Sequence, residues 1–334
     1  MLRPLTAAAL LAAAAFAQEA KPAPKPLPQF EPAAPSFAFL QQPAKGLPKM
    51  PAPADYAPTP AMFELGQQLF HATALSRDES VSCSTCHPAA TGFAHRDPLP
   101  PGIGGQRALR HAPALWNRGY GTRQRWDGST PTLELFVLEP IADAREMGFS
   151  VDAALARLNG DPEWKQRFER AFEGPATAQS LQRSLATFVR GIVAGDAPYD
   201  RFVGGDPTAI SADQRHGQWI FESKGGCWKC HTPPLFTDDG FHNTGIGVKD
   251  GVPEEGRAHA THDENDRGKW KTPTLRGVRL TAPYMHNGSL RTLADVVAFY
   301  VRGGNDNAQL DARVHKLELS QQDQDALVAF LSAL

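Results

Sequence analysis

The chain has 334 residues, 34 Lys and Arg against 36 Asp and Glu, and a formal net charge of −2. That balance gives no basic surface, so nucleic acid is not an expected partner. The length exceeds one ordinary domain and suits two of typical size.

The chain opens with Met1-Leu2-Arg3, a short apolar run from Leu5 to Phe16, and small residues at Ala15 and Ala17. That run is too short to span a bilayer, which takes roughly 20 apolar residues. Residues 1–17 therefore read as a signal peptide cleaved before Gln18, and the mature chain is expected in the periplasm. Residues 18–60 are rich in Pro and Ala with little periodicity, and read as a tether without a core of its own. Two folded units are expected after it, 61–200 and 201–334, with the boundary in the Gly, Pro and Asp cluster from Gly195 to Ser211.

Helical patterning dominates both units, and strand signals are scarce. Leu181, Leu185, Phe188, Val189 and Ile192 recur at helical spacing. Ser211 with Gln214 caps a helix through about Ser223. Thr292 with Asp295 caps one carrying Val296, Val297 and Tyr300, and Ser320 with Asp323 caps the last. The fold class is mainly α.

All four cysteines lie in two copies of one motif, Cys83-Ser84-Thr85-Cys86-His87 and Cys227-Trp228-Lys229-Cys230-His231. Two disulfides would leave unexplained why a histidine follows the second cysteine each time. A zinc site would lack a convincing second half in either place. Two thiols one helical turn apart can each add to a haem vinyl group, and the adjacent imidazole then sits under the iron. The motifs point to two covalently attached c-type haems, one per tandem cytochrome c-like domain.

With those motifs in place, the sequence resembles the bacterial dihaem cytochrome c peroxidase family and its MauG-like relatives. The carriers are Leu75-Ser76-Arg77, Trp126-Asp127-Gly128, Glu146-Met147-Gly148, Leu275-Arg276 and Thr281-Ala282-Pro283-Tyr284-Met285-His286, in order around both haem motifs. The resemblance implies that the haem on His87 binds hydrogen peroxide and the haem on His231 takes in electrons. The donor would be a small cytochrome c or a cupredoxin. Glu146 matches the family's catalytic glutamate, a general acid–base. Trp126 matches the tryptophan between the haems, where local sequence alone suggests a packing anchor. The resemblance also implies calcium on the backbone carbonyls of Thr281 and Pro283, but the third, Asn position is His111. Imidazole is a poor ligand for so hard a cation. Homodimers are frequent in the family.

Three departures bear on mechanism. The loop histidine that plugs the peroxidatic haem aligns with Gly105, which cannot ligate iron, so that haem is expected open unless His95 or His111 swings in. The axial methionine of the electron-entry haem aligns with Tyr300, with Met285 or water as the alternative. A phenolate ligand stabilises ferric iron relative to a thioether. A pocket glutamine is Phe136. His286 reads as a residue near the second haem; His259 and His262 as members of a solvated loop; His71, His216, His242 and His315 as structural. The leading reading is a peroxidase. The alternatives are a MauG-like oxidase that modifies a residue of a partner protein, and a plain electron-transfer cytochrome.

Overall fold

The computed structural model describes residues 30–334. The signal peptide expected over 1–17 and the start of the Pro/Ala-rich segment lie outside the described residues.

Two helical cores follow one another along the chain. The first holds Leu69, Phe70, Leu75, Leu181, Leu185 and Phe188 and runs as far as Ala197. The second starts at Tyr199 and holds Ile220, Phe221, Phe236, Val297 and Phe330. The cores therefore part at the start of helix Pro198–Val203. Each aromatic buried in such a core contributes roughly 1.5–3 kcal/mol of transfer free energy.

The two units are built alike. Helix Pro60–His71 begins where Thr59 caps the Met62 amide and Pro60 occupies a position with no amide to lose. It crosses helix Ala178–Arg190 at Gly66, where a Cβ would lie 2.0 Å from the Ser184 carbonyl oxygen. Helix Ala212–Glu222 crosses the last helix, Gln321–Leu331, at Gly217 in the same way, 1.9 Å from the Ala326 oxygen. Only glycine allows backbones so close. In each unit the helix leading into the Cys-x-x-Cys-His motif is thus clamped against the unit's final helix. The capping boxes at Ser211, Thr292 and Ser320 are all present. Among the described residues the sheet is a single antiparallel pair, Phe241–His242 with Trp270–Lys271, in which Lys271 faces Phe241.

Residues 30–59 are no free tether. Phe30 is buried, and Leu47 and Met50 pack with Val193 in a small cluster of their own. Asp196 N donates to the Lys45 carbonyl at 2.8 Å, and Arg279 donates to the Phe30 carbonyl at 3.1 Å. Proline-rich chain cannot build a core, but here it lies along the two domains and covers theirs. Arg276 draws the three pieces together. Its guanidinium meets both oxygens of Asp200 at 2.7 and 2.8 Å and donates to the carbonyls of Gly46 and Pro234. Both side chains of this pair are 1% exposed. Among the described residues, no helix is long and apolar enough to cross a membrane.

Candidate functional site

Each Cys-x-x-Cys-His motif forms a short helical turn, Cys83–Cys86 in the first domain and Cys227–Lys229 in the second. The first is held by a reciprocal cap between Ser82 and Thr85. All four cysteines are free, so the disulfide reading does not apply. Burial pushes the Cys83, Cys86 and Cys227 thiols up to about 12. They are kept neutral, as apolar-pocket thiols are.

His87 Nδ1 lies 2.8 Å from the Phe93 carbonyl, and His231 Nδ1 lies 3.0 Å from the Phe236 carbonyl. A carbonyl can only accept, so Nδ1 carries the proton in both rings and Nε2 is left with its lone pair. Burial lowers both imidazoles, His87 to about 4. Both therefore remain neutral, the state in which imidazole binds a metal. The second motif opens on a cavity with an empty volume of about 2000 Å³, part of it open to solvent, whose wall includes Cys227, Cys230, His231, Met285 and Tyr300. Paired thiols, an oriented imidazole and a large, mainly apolar cavity fit a c-type haem.

Tyr300 occupies the last turn of helix Leu293–Val301 and shares the cavity with His231. Burial, then the neighbouring Cys227 and Cys230, raise its phenol above the usual tyrosine range. Met285, the alternative ligand, lines the same cavity in a left-handed backbone conformation, φ +75°.

Trp126 sits at the seam between the domains. Its indole donates to the His111 carbonyl at 2.8 Å, while its own carbonyl accepts from the Lys271 amide at 2.8 Å. Its ring meets His286 edge-on at 6.5 Å, and His286 stacks on Trp270 at 3.8 Å. The packing-anchor reading of Trp126 thus has its partners. Thr281 and Pro283 line the cavity on this seam, and His111 is buried with Nδ1 unpartnered.

Glu146 lies on the first-domain side, near enough to Cys83 and Cys86 to raise both thiols. Burial, then Asp143, push its carboxyl up to about 7, against the pull of Arg125. A carboxyl poised there can give and take a proton at neutral pH. The loop carrying Gly105 is tied to the same turn, since Ile103 N donates to the Glu146 carbonyl at 2.9 Å. Gly105 has φ +75°, and a Cβ placed on it would meet nothing within 4 Å. His95 accepts from the Asp97 amide in this neighbourhood. Phe136 lines the seam end of the cavity with Arg125 over its ring.

Of the remaining histidines, His216 pairs with Asp323 at 2.9 Å, and His242 bridges Asp238 and Asp311 at 2.8 and 2.9 Å. Cys230, Asp238 and His242 stand close enough to suggest a metal. Its cysteine belongs to the second Cys-x-x-Cys-His motif. His259 is exposed, 3.5 Å from Glu255. Sequence reasoning missed a buried charge cluster at the seam, Arg118, Asp239 and Lys271, because its members come from three separate segments.

The fold and the two motifs together define a tandem cytochrome c-like protein. Residues 60–208 match the family model for di-haem cytochrome c peroxidase, and residues 269–302 match a RoxA-like, cytochrome c-like model. The chain is 37% identical to the methylamine utilization protein MauG of Methylorubrum extorquens, over 85% of this chain and 81% of that protein. It is 34% identical to the cytochrome-c peroxidase IdrP2 of Denitromonas iodatirespirans, over 82% and 81%. A crystal structure of a MauG-like protein associated with microbial copper homeostasis superposes with a TM-score of 0.82 at 29% identity, covering 88% of this chain and 94% of that one. The chain belongs to the di-haem cytochrome c peroxidase family. That family implies two haem c groups.

Proposed function

We propose that the protein is a periplasmic dihaem peroxidase that converts hydrogen peroxide, two electrons and two protons into two waters. Bound haem would supply the peroxide-binding iron on the His87 side and the electron-entry iron on the His231 side. The chain's own residues supply the proton and the path. Glu146 takes the proton from the oxygen that binds and returns it to the oxygen that leaves, which requires a carboxyl that is neither fully ionised nor fully protonated near neutrality. Its position beside the first motif, with a proton affinity raised to about 7, is the observation that carries the reading. Trp126, hydrogen-bonded to both domains, stands on the route between the two sites. Tyr300, which lines the same cavity as His231, would be a ligand to the iron on that side. Electrons arrive from a small cytochrome c or cupredoxin. The carbonyls of Thr281 and Pro283 are the candidate calcium ligands, with His111 a poor third.

Glu146→Gln keeps the shape and removes the acid–base function. Peroxide-dependent oxidation of a reduced small cytochrome is expected to fall by roughly 10²–10⁴-fold. An activity within threefold of wild type would remove Glu146 from the mechanism.

A second reading is favoured by one observation. The loop position where a plugging histidine is expected is Gly105, which cannot ligate iron and at which an added Cβ would meet nothing within 4 Å. In that reading peroxide-derived oxidising equivalents are spent on a partner protein. Adding one equivalent of peroxide to the fully ferric protein separates the two. An immediate absorption change supports the open site, and no change until the second haem is reduced supports the conventional peroxidase. A plain electron-transfer cytochrome would show neither response.

A further inference from the structure

The seam between the domains holds two largely buried cations, Arg118 and Lys271, 12% and 8% exposed, and one carboxylate. Arg118 comes from the turn after Asn117 in the first domain, and Asp239 and Lys271 come from the second. Arg118 Nη1 lies 3.6 Å and Lys271 Nζ 3.7 Å from the same atom, Asp239 Oδ1. Both distances exceed hydrogen-bond reach, and Oδ1 is buried with no hydrogen-bond partner. The other oxygen, Oδ2, accepts from the Thr122 amide and hydroxyl at 2.7 and 2.8 Å. Asp239 is the one carboxylate in ion-pair reach of either cation among the described residues, so with Lys271 protonated the cluster carries one uncompensated positive charge. Burial is costly for such a charge. It is felt in the lysine, which burial and then Arg118 lower to about 7.

The surplus charge faces a site. Arg118 and Lys271 both line the cavity that contains Cys227, Cys230 and His231. Each cation is also held from behind. Arg118 donates to the Arg123 carbonyl at 2.8 Å and to Gln124 at 3.1 Å. The Lys271 backbone is fixed by its strand pairing and by the Trp126 carbonyl. A flexible surface lysine would solvate itself, but this one is held against the cavity.

We propose that Arg118 and Lys271 form the carboxylate-binding end of the second haem site, receiving a propionate of the haem attached at Cys227 and Cys230. This rests on the dihaem reading above. The propionate supplies the missing negative charge, and the cations supply charge-assisted hydrogen bonds in a dry seam. Because Arg118 belongs to the first domain, the same contact ties the second haem to the opposite domain and next to Trp126. The cluster also sets the potential. A ferrous haem carries one more electron than a ferric one, so a fixed positive charge beside it favours reduction, and Asp239 opposes that effect.

The test uses the purified holoprotein, its Lys271→Met, Lys271→Arg and Asp239→Asn variants, haem content by mass, and spectroelectrochemical titration of the second haem. Lys271→Met is expected to shift the reduction equilibrium toward ferric about tenfold, which is 59 mV for a one-electron couple. Asp239→Asn is expected to shift it the opposite way, and Lys271→Arg to stay near wild type. A merely structural role would move both charge variants in the same direction or neither, and either result overturns the proposal. If Lys271→Met does not accumulate, Asp239→Asn decides alone: a shift toward ferrous supports the assignment, and no shift overturns it. Wild-type protein lacking two covalent haems would instead defeat the dihaem reading itself.

Discussion

Replacing Asp200 by Asn leaves the Arg276 guanidinium almost as well surrounded as before and removes only the opposing charge. The pair is 1% exposed on both sides, with two oxygens at 2.7 and 2.8 Å. The Gly46 and Pro234 carbonyls accept from the same guanidinium but carry no net charge. Breaking such a pair from one side costs about 3–5 kcal/mol, because the remaining charge stays buried. For domains of this size about 1 kcal/mol corresponds to roughly 2–4 °C, so Asp200→Asn should lower the melting temperature by about 6–20 °C. Calorimetry of the holoprotein at neutral pH reads this directly. Limited proteolysis should show cleavage within residues 30–59 first, since Gly46 is held by Arg276. Replacing both partners with apolar residues, Arg276→Met with Asp200→Leu, should recover much of the loss. A melting temperature within 2 °C of wild type for Asp200→Asn would refute the reasoning, because it would mean that the guanidinium finds solvent or another counter-charge.

Glu146 gives a stability signature independent of activity. Its carboxyl is raised from 4.5 to about 7 in the folded chain, so the native state binds the extra proton and stability falls as pH rises between those values. Glu146→Gln should therefore gain about 1–3 kcal/mol over wild type at pH 8 and nothing at pH 4, read by denaturant unfolding at both pH values; an equal difference at both would contradict the raised proton affinity. Gly105→His fills open space at a cost of about 1 kcal/mol for the left-handed backbone. The ferric absorption spectrum of the first haem should become six-coordinate and unresponsive to peroxide until reduction, and an unchanged spectrum would place Gly105 away from the iron. Tyr300→Met should raise the second haem's potential, since a thioether favours ferrous iron more than a phenolate does. A titration that overlays wild type would mean that Tyr300 only packs.

Local sequence determined the capped helices and the spacing of the two Cys-x-x-Cys-His motifs. Capping boxes and cysteine spacing are interactions within one turn of chain, so Ser211, Thr292 and Ser320 start their helices where the sequence places them. Cys83 to His87 and Cys227 to His231 are complete as written for the same reason. The family was legible too, because its motifs are short and ordered along the chain. Tertiary structure alone decided what depends on distant segments meeting. The Pro/Ala-rich stretch lacks a core of its own, yet Phe30, Leu47 and Met50 are buried because the two domains leave a surface for them. The raised carboxyl of Glu146 comes from burial and from Asp143 beside it, which no motif encodes. Lys271 looks like a strand lysine and Arg118 like a turn arginine. Only the meeting of the domains brings both within ion-pair reach of a single carboxylate and sets two cationic side chains on the wall of the second site.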